Sequence, residues 1–567
     1  MAVADEEAPS PLYRHARTLP FELVQHIGIF FEEKLCPPPL TPRNSLDHRT
    51  DRGVRQPDTQ ALNLLLNIIT TGTIPPTPVY VPSPQHLALA ATFLVHPSTT
   101  TRAKTAEQEE ASNVSLRLLR LANTIAGPVS AKLGTAFSFT HFEASRHGRR
   151  RRAEDEQPPD DDTKPLNLDL AQSASVWSRA EDFWHAVGWA FNCSVLHRER
   201  WEKWQIWLEY MCEVLEDDWN ERKRMSDRNT NIDHKVLKDS LIFRYITETT
   251  AGYGRNRRIL RAIFADGGST SVNEFREVFH HELKKPKQDK NTKKREVQVN
   301  IDEDQYGDYL TDDDDDSSDN NNNNKNDPDT ASKRPTRQTK RPRRGTRAKD
   351  VKSADAVDTT STVYALSDVS SHGGFQSLAL RQRLLHLLSG VAEALPDDFI
   401  SLEELYHLFV ENIRHLSLPV FQVLVTPSTL PYFSPEACTT LCECLLFRIR
   451  ESAAPDTDEE YLSQAKLEEC FLPYAASTNS VIDNTKMSIL LEALLILLAN
   501  SDMLKVTTDL QEAVEEGIQR RAEKAQTETK KSVSARKSED AEWCWLQESG
   551  ERLRFLVEVL PRGEDSD

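Results

Sequence analysis

The sequence has few of the features that mark secreted, membrane-spanning or disulfide-stabilised proteins. Its 567 residues include eight cysteines but no Cys-x-x-Cys pair, which is typical of a reducing compartment where thiols are small core residues. The longest apolar stretch, 489–499, is interrupted by Glu492 and is too short to cross a bilayer. The acidic N-terminus lacks the apolar run of a signal peptide. These absences predict a soluble intracellular protein that does not contact membranes.

Glycine is scarce, and the common nucleotide-binding and catalytic motifs are missing. The chain has no GxxxxGK[ST], HExxH or GxSxG segment and no GxGxxG after a strand. With 19 glycines in all, Gly252 and Gly254 are better explained by a turn between helices than by a phosphate-binding loop. His280, His281 and Glu282 have no further metal ligand at a sensible spacing, so we expect them at a solvated helix end. We predict no catalytic residue, no metal site and no cofactor.

Three nearby cysteines, Cys438, Cys442 and Cys444, leave zinc binding as an alternative to consider. Cys438 and Cys442 are four residues apart and lie on the apolar stripe of one predicted helix. Buried core thiols are therefore the interpretation that we adopt for this cluster.

Strand-like alternation is nearly missing, whereas apolar residues recur at helical spacing throughout. In the parts of the chain expected to fold, only the short runs 78–81 and 420–425 alternate, and both lie beside prolines. No internal repeat of fixed period is found, although irregular stacking of the HEAT type would leave none visible. The sequence predicts an all-α fold with two irregular multi-helix bodies joined by a long disordered charged linker. HEAT-like stacking and a coiled coil remain open alternatives.

Changes in composition and periodicity divide the chain into six parts. These are an N-terminal helical region with Pro-rich turns (1–145), a charged loop (146–171), a Trp-rich helical region (172–285), a disordered acidic and basic linker (286–374), a C-terminal helical domain (375–515), and a polar helix with a tail (516–567). Helix starts are clearest in the C-terminal domain, where Ser401 and Glu404 form a capping box. Ser434 is followed by a first-turn proline and a first-turn acid.

Helical spacing also predicts individual helices before the linker. They lie at 23–35, 62–69, 87–95, 114–125, 236–246, 257–264 and 273–283. Seven of the nine tryptophans fall between 177 and 219, and spacings of three and four place four of them on one helix face: Trp201, Trp204, Trp207 and Trp219. The positions from Trp177 to Phe191 form the predicted facing helix.

The tryptophan stripe allows two interpretations. One is a packed aromatic core, because each ring buries a large area. The other is a groove for a partner peptide, with Glu216, Asp217 and Asp218 as an acidic rim suited to a basic segment. The sequence leaves both interpretations open.

The linker changes sign along its length and has too little apolar surface to fold. Residues 301–330 hold twelve acidic side chains against one lysine, and residues 333–352 hold ten basic side chains against one aspartate. The segment before the acidic run resembles a SUMO-interacting motif, with apolar alternation followed by acids: Val297, Val299, Ile301, Asp302, Glu303 and Asp304. The resemblance implies SUMO as a partner, and a chance apolar cluster is the alternative.

The basic half of the linker is typical of a two-cluster nuclear import signal. The clusters are Lys333 with Arg334, and Lys340, Arg341, Arg343 and Arg344. A solvated charge run is the alternative. The block resembles an AT-hook only loosely, because the Gly-Arg-Pro core is missing, so any nucleic-acid contact through the linker should be nonspecific and salt-sensitive.

Together these features predict a nuclear, non-enzymatic scaffold or adaptor subunit of a complex acting on chromatin or in genome maintenance, such as DNA repair or chromosome organisation. Its partners would be other nuclear proteins. A nucleolar or ribosome-assembly factor is the alternative, since proteins that handle rRNA also carry acidic and basic tracts. An enzyme of unfamiliar helical type is the third hypothesis.

Overall fold

The computed structural model describes residues 13–32, 57–71, 78–139, 166–228, 234–248, 254–284, 369–457, 459, 461–526 and 533–560. These residues are predominantly helical, which confirms the all-α class. The helical residues on the two sides of 285–368 belong to one compact unit. Within the described ranges, no helix combines the length and apolarity that a membrane crossing requires.

The residues before the linker form short and long helices with two short strands. In chain order the elements are β1 (Ala16–Thr18), α1 (Phe21–Glu32), α2 (Pro57–Thr71), β2 (Val79–Val81), α3 (Pro84–Val95), α4 (Ala106–Leu121), α5 (Leu133–Ala136), α6 (Val176–Arg179), α7 (Phe183–Leu196), α8 (Arg198–Arg228), α9 (His234–Lys238), α10 (Leu241–Thr247), α11 (Arg255–Ile263) and α12 (Ser269–Glu274). A π-helical turn, Ala122–Ala126, follows α4 directly.

The described residues after the linker form eight helices. These are α13 (Gly374–Ala394), α14 (Leu402–Ile413), α15 (Leu418–Val425), α16 (Pro435–Ile449), α17 (Gln464–Cys470), α18 (Val481–Asn500), α19 (Thr508–Gln526) and α20 (Val533–Val559). α20 packs along α18 and α19, so the last helices belong to the body. The predicted division at 515 falls inside α19.

One of the two predicted strand runs is confirmed and the other is wrong. β2 pairs in parallel with β1, with Ala16 opposite Val79. The run 420–425 instead lies in α15, where Pro419 stands in the first turn with its backbone already set for a helix. Most side chains of α15 are buried, and this packing overrides the strand preference of its valines.

Two predicted helices are interrupted and a third is wrong. The stripe from Trp177 to Phe191 is split between α6 and α7, because Asp182 caps α7 by accepting a hydrogen bond from the His185 backbone N–H. The predicted helix 236–246 is likewise two helices, α9 and α10, separated at Ser240, which caps α10. The predicted helix at 273–283 does not form: α12 ends at Glu274, and turns follow.

The local capping signals in the C-terminal region are confirmed. The Ser401 hydroxyl accepts from the Glu404 backbone N–H at 3.2 Å, and the Ser434 hydroxyl accepts from the Ala437 N–H at 3.2 Å. Each satisfies one of the N–H groups that a helix start leaves without an intrahelical partner. These contacts span three residues, which is why the sequence alone could specify them.

The core is organised around α8, the 31-residue helix that carries the tryptophan stripe. α8 contacts α3, α7, α9 and α10 from its own region and α13 from beyond the linker. A single apolar core contains buried side chains from both regions, among them Trp207, Leu388 and Leu494. Val369, near the end of the predicted linker, is buried in this core.

Candidate functional site at the junction of the two helical regions

The four tryptophans proposed for a partner groove are buried. Trp204 and Trp207 have no accessible surface, and Trp201 and Trp219 are each 6% exposed. The rings of Trp204 and Trp207 meet edge to face, with centroids 5.4 Å apart. A buried ring cannot contact a partner, so the groove interpretation does not fit these positions, and the packed aromatic core does.

The acidic rim of the proposed groove is occupied by contacts within the molecule. Asp217 accepts a hydrogen bond from Asn123 Nδ2 at 2.5 Å, in the π-helical turn after α4. Asp218 accepts from the Leu241 backbone N–H at 2.7 Å, at the start of α10. Burial raises the pKa of both carboxyl groups above its ordinary value. These side chains hold surrounding elements against α8 and do not form a surface for a basic peptide.

Glu282 is the centre of a buried polar cluster that sequence reasoning missed. Its carboxylate accepts from Arg200 Nε at 2.7 Å and from the indole N–H groups of Trp204 and Trp189 at 2.7 and 3.0 Å. Arg200 also donates to the Val95 carbonyl oxygen at 2.6 Å. The Glu282 side chain is fully buried, which corrects the expectation of a solvated position for this residue, whereas His280 and His281 are exposed. The hydrogen-bonded pairs of this cluster are separated by up to 105 residues in sequence, as for Arg200 and Val95, so no local pattern could show them.

Arg381 on α13 lies in the junction between the helical regions, which we define as the contacts of residues 369–560 with residues 13–284. Its Nη1 donates to the Ile263 carbonyl oxygen at 2.5 Å, and its Nη2 donates to that of Ala265 at 2.8 Å. These carbonyls lie at the end of α11, where a helix leaves acceptors unpaired and favours a cation. The guanidinium also lies over the ring of Phe191, 4.1 Å from its centroid.

Arg381 is completely buried, and neighbouring groups accept hydrogen bonds from its guanidinium. The side chain has no accessible surface, and burial lowers its pKa to about 9, although Asp266 acts in the opposite direction. Its Nε donates to Ser377 Oγ at 3.3 Å. Desolvation of a cation is unfavourable, so Arg381 contributes orientation and specificity more than net attraction.

A second arginine of α13 forms a two-point ion pair across the junction. Arg383 Nε and Nη2 donate to the two carboxylate oxygens of Glu216 on α8 at 2.5 and 2.6 Å. Burial acts to lower the pKa of Arg383, but the hydrogen bonds to Glu216 and the charge of that carboxylate outweigh burial and raise the pKa above its usual range. The two side chains are 14% and 28% exposed, and this two-point geometry fixes the register of α13 on α8.

Close backbone packing and outer ion pairs extend the junction. A Cβ on Gly373, whose φ is +80°, would overlap Ser194 Oγ, so glycine is required there for two reasons. Lys238 and Asp398 form an ion pair at 2.8 Å with both side chains partly exposed. Arg257 and Glu411 form one at 3.3 Å with both side chains mostly exposed, so this pair should contribute little.

The cysteine cluster is part of the core of the C-terminal region. Cys438 and Cys442 are buried on α16, and Cys444 is half-buried. Burial raises the pKa of the Cys438 thiol to about 11, which keeps it protonated and weakly reactive. These positions match the core-thiol interpretation. In the part of the chain that the structure describes, no three His, Cys, Asp or Glu side chains are arranged to hold a metal ion.

The linker motifs lie outside the described residues. This holds for the SUMO-type segment, Val297, Val299, Ile301, Asp302, Glu303 and Asp304, and for the import clusters, Lys333, Arg334, Lys340, Arg341, Arg343 and Arg344. They stay predictions from sequence. No family model, curated protein or solved structure matches this chain.

Proposed function

We propose that the protein is a nuclear, non-enzymatic scaffold or adaptor subunit of a complex acting on chromatin or in genome maintenance. The observation that carries the proposal is the arrangement of the chain: two helical regions of one compact unit are separated by a segment with dense acidic and basic charge. The basic clusters of residues 333–352 supply an address for import. The acidic and apolar motif at 297–304 supplies a candidate contact to SUMO.

The packing of the helical body supports a structural role for its buried polar groups. The carboxylates of Glu282, Asp218 and Glu216 are each engaged by an arginine, an indole or a backbone N–H from another element. Groups held in this way stabilise one arrangement of helices. The proposal therefore assigns these residues to architecture and assigns partner binding to exposed surfaces and to the linker.

The proposal is tested by identifying what the protein binds in cells. The full chain is crosslinked in intact nuclei and purified with and without nuclease treatment. Chromatin or genome-maintenance proteins that remain after nuclease treatment would support the proposal. Recovery of rRNA with assembly factors would favour the nucleolar alternative, and turnover of a substrate by the purified protein would contradict the non-enzymatic assignment.

A further inference from the structure

In the described part of the chain, the two helical regions are held together by non-covalent contacts. Most of their buried apolar side chains belong to one core that both regions share. The described cysteines are free, so no disulfide joins the regions there. Because apolar burial is the main favourable term in association, a shared core of this kind predicts that the regions attract each other strongly.

The polar contacts of the junction make this association specific. Arg381 fits the carbonyl oxygens at the end of α11, and Arg383 fits Glu216 with two parallel hydrogen bonds. A displacement of α13 by one turn would separate buried Arg381 and half-buried Arg383 from these partners, which is strongly unfavourable. The apolar core therefore supplies the attraction, and the two arginines select one register.

We propose that residues 13–284 and 369–560 form a two-part body that stays assembled when the polypeptide between them is cut. A linker raises the effective concentration of the two regions for each other. An interface with a continuous core should stay associated at micromolar concentration without this effect. Cleavage, modification or partner binding within 285–368 would then leave the helical body intact. The inference does not depend on the nuclear function proposed above.

The test uses the full chain and cuts it after folding. A recognition sequence for a specific protease, flanked by Gly-Ser residues, replaces Asn320–Asn324. The purified protein is cleaved to completion, as judged on a denaturing gel, and is analysed by size-exclusion chromatography with light scattering. We expect the two fragments to elute together with the mass of one copy of each. Separate elution, or a mass larger than their sum, would overturn the proposal.

Charge-reversal variants test whether the junction holds the fragments. Glu216→Arg and Arg383→Glu should each raise the dissociation constant of the cut protein on the order of a hundredfold, because each leaves like charges together in a largely buried site. The double variant should recover most of the loss. Arg257→Glu, which breaks a mostly exposed pair, is the matched control and should change the constant less than about fivefold.

Each outcome of the variants bears on the proposal. If the single variants bind as tightly as wild type after cleavage, the junction described here is not the surface that holds the body together. If a charge reversal prevents folding of the uncut chain, Arg383→Lys is used instead. Lysine keeps the charge but loses the two-point geometry, so a measurable weakening is still expected. No weakening with lysine would contradict the assigned role of Arg383.

Discussion

At the scale of single residues, Glu282 accepts hydrogen bonds from several buried donors at once. Glu282→Gln removes the charge that compensates buried Arg200 and gives the two indole N–H donors a poorer acceptor. Breaking a buried ion pair on one side typically destabilises by about 3–5 kcal/mol. We expect a loss in that range, measured as the free energy of unfolding in urea.

Glu213 provides the matched control for that substitution. It pairs with Arg120 at 2.9 Å, and the two side chains are 33% and 45% exposed. Glu213→Gln should change the free energy of unfolding by about 0–1 kcal/mol, because exposed pairs contribute little. Equal effects of the two substitutions would contradict the central role given to Glu282.

His86 should make the stability of the body depend on pH. It is fully buried, and burial lowers its pKa from 6.5 to about 4, so the folded protein holds it neutral. The unfolded chain binds a proton near pH 6.5, so this contribution is present above that pH and is lost as the pH falls towards 4. The loss is at most about 1.4 kcal/mol per pH unit.

His86→Gln isolates this contribution, because glutamine does not ionise in this range. The unfolding free energies of wild type and variant are compared from pH 7 to pH 4.5. Over that interval, we expect the free energy of unfolding of the wild type to fall by about 2 kcal/mol more than that of the variant. Parallel profiles of the two proteins would show that His86 is not held neutral.

What the sequence could predict about single residues depended on the distance to their partners. The roles of Ser401 and Ser434 were predictable, because each hydroxyl caps a backbone group three residues away. The role of Glu282 was not, because Arg200 lies 82 residues earlier. The same limit applies to Arg381, whose acceptors are brought to it only by the packing of α13 against α11.

At the scale of elements, α19 crosses the chain after α17 so closely that it needs a glycine. A Cβ on Gly517 would overlap the Leu472 carbonyl oxygen and lie 2.8 Å from Arg521 Nη1. Arg521 is itself buried and donates to that carbonyl at 3.0 Å. Gly517→Ala should therefore lower the free energy of unfolding by about 2 kcal/mol despite the better helix propensity of alanine.

Gly390 on α13 is the control for that prediction. A Cβ there would lie 3.7 Å from Trp219 Nε1, an ordinary contact distance. Gly390→Ala should raise the free energy of unfolding by about 0.5–1 kcal/mol through helix propensity and reduced entropy of the unfolded chain. If both variants changed stability in the same direction, close packing at Gly517 would not be the cause.

Elements were predictable where one helix face was apolar and less so where burial was nearly complete. The periodicity of α8 and α14 was clear, since each has a polar side. In α15 most positions are buried, so the sequence 420–425 carries no helical period and resembles a strand. The break between α6 and α7 was hidden because Trp177 and Trp184 keep helical spacing across it.

At the scale of the whole molecule, nuclear import should depend on the dense basic cluster of the linker. Changing Lys340, Arg341, Arg343 and Arg344 to alanine removes the charge that an acidic import receptor would bind. A fluorescently tagged protein should then move from the nucleus to the cytoplasm. An unchanged nuclear signal would contradict the assignment, unless a variant that also replaces Arg149–Arg152 becomes cytoplasmic.

The surfaces of the helical body, rather than the linker, should provide most of the affinity for the proposed complex. Short motifs and screened charges usually bind weakly, whereas aromatic and aliphatic side chains on a rigid surface contribute most binding energy. The tryptophan stripe cannot supply these contacts, because it is buried. Phe555 and Val559 lie four residues apart on α20 and are 61% and 64% exposed, so apolar surface is available elsewhere.

This division of roles is tested by replacing residues 285–368 with a Gly-Ser segment of equal length and adding an import signal at a terminus. Val369 is kept, because it is part of the core, and so is Gly373, which packs on Ser194. We expect the variant to stay folded and to co-purify with the native partners, since rigid apolar surface contributes more affinity than short motifs and screened charges. Loss of the partners, with helical content by circular dichroism unchanged, would show that the linker is the principal binding element and that the helical body serves to present it.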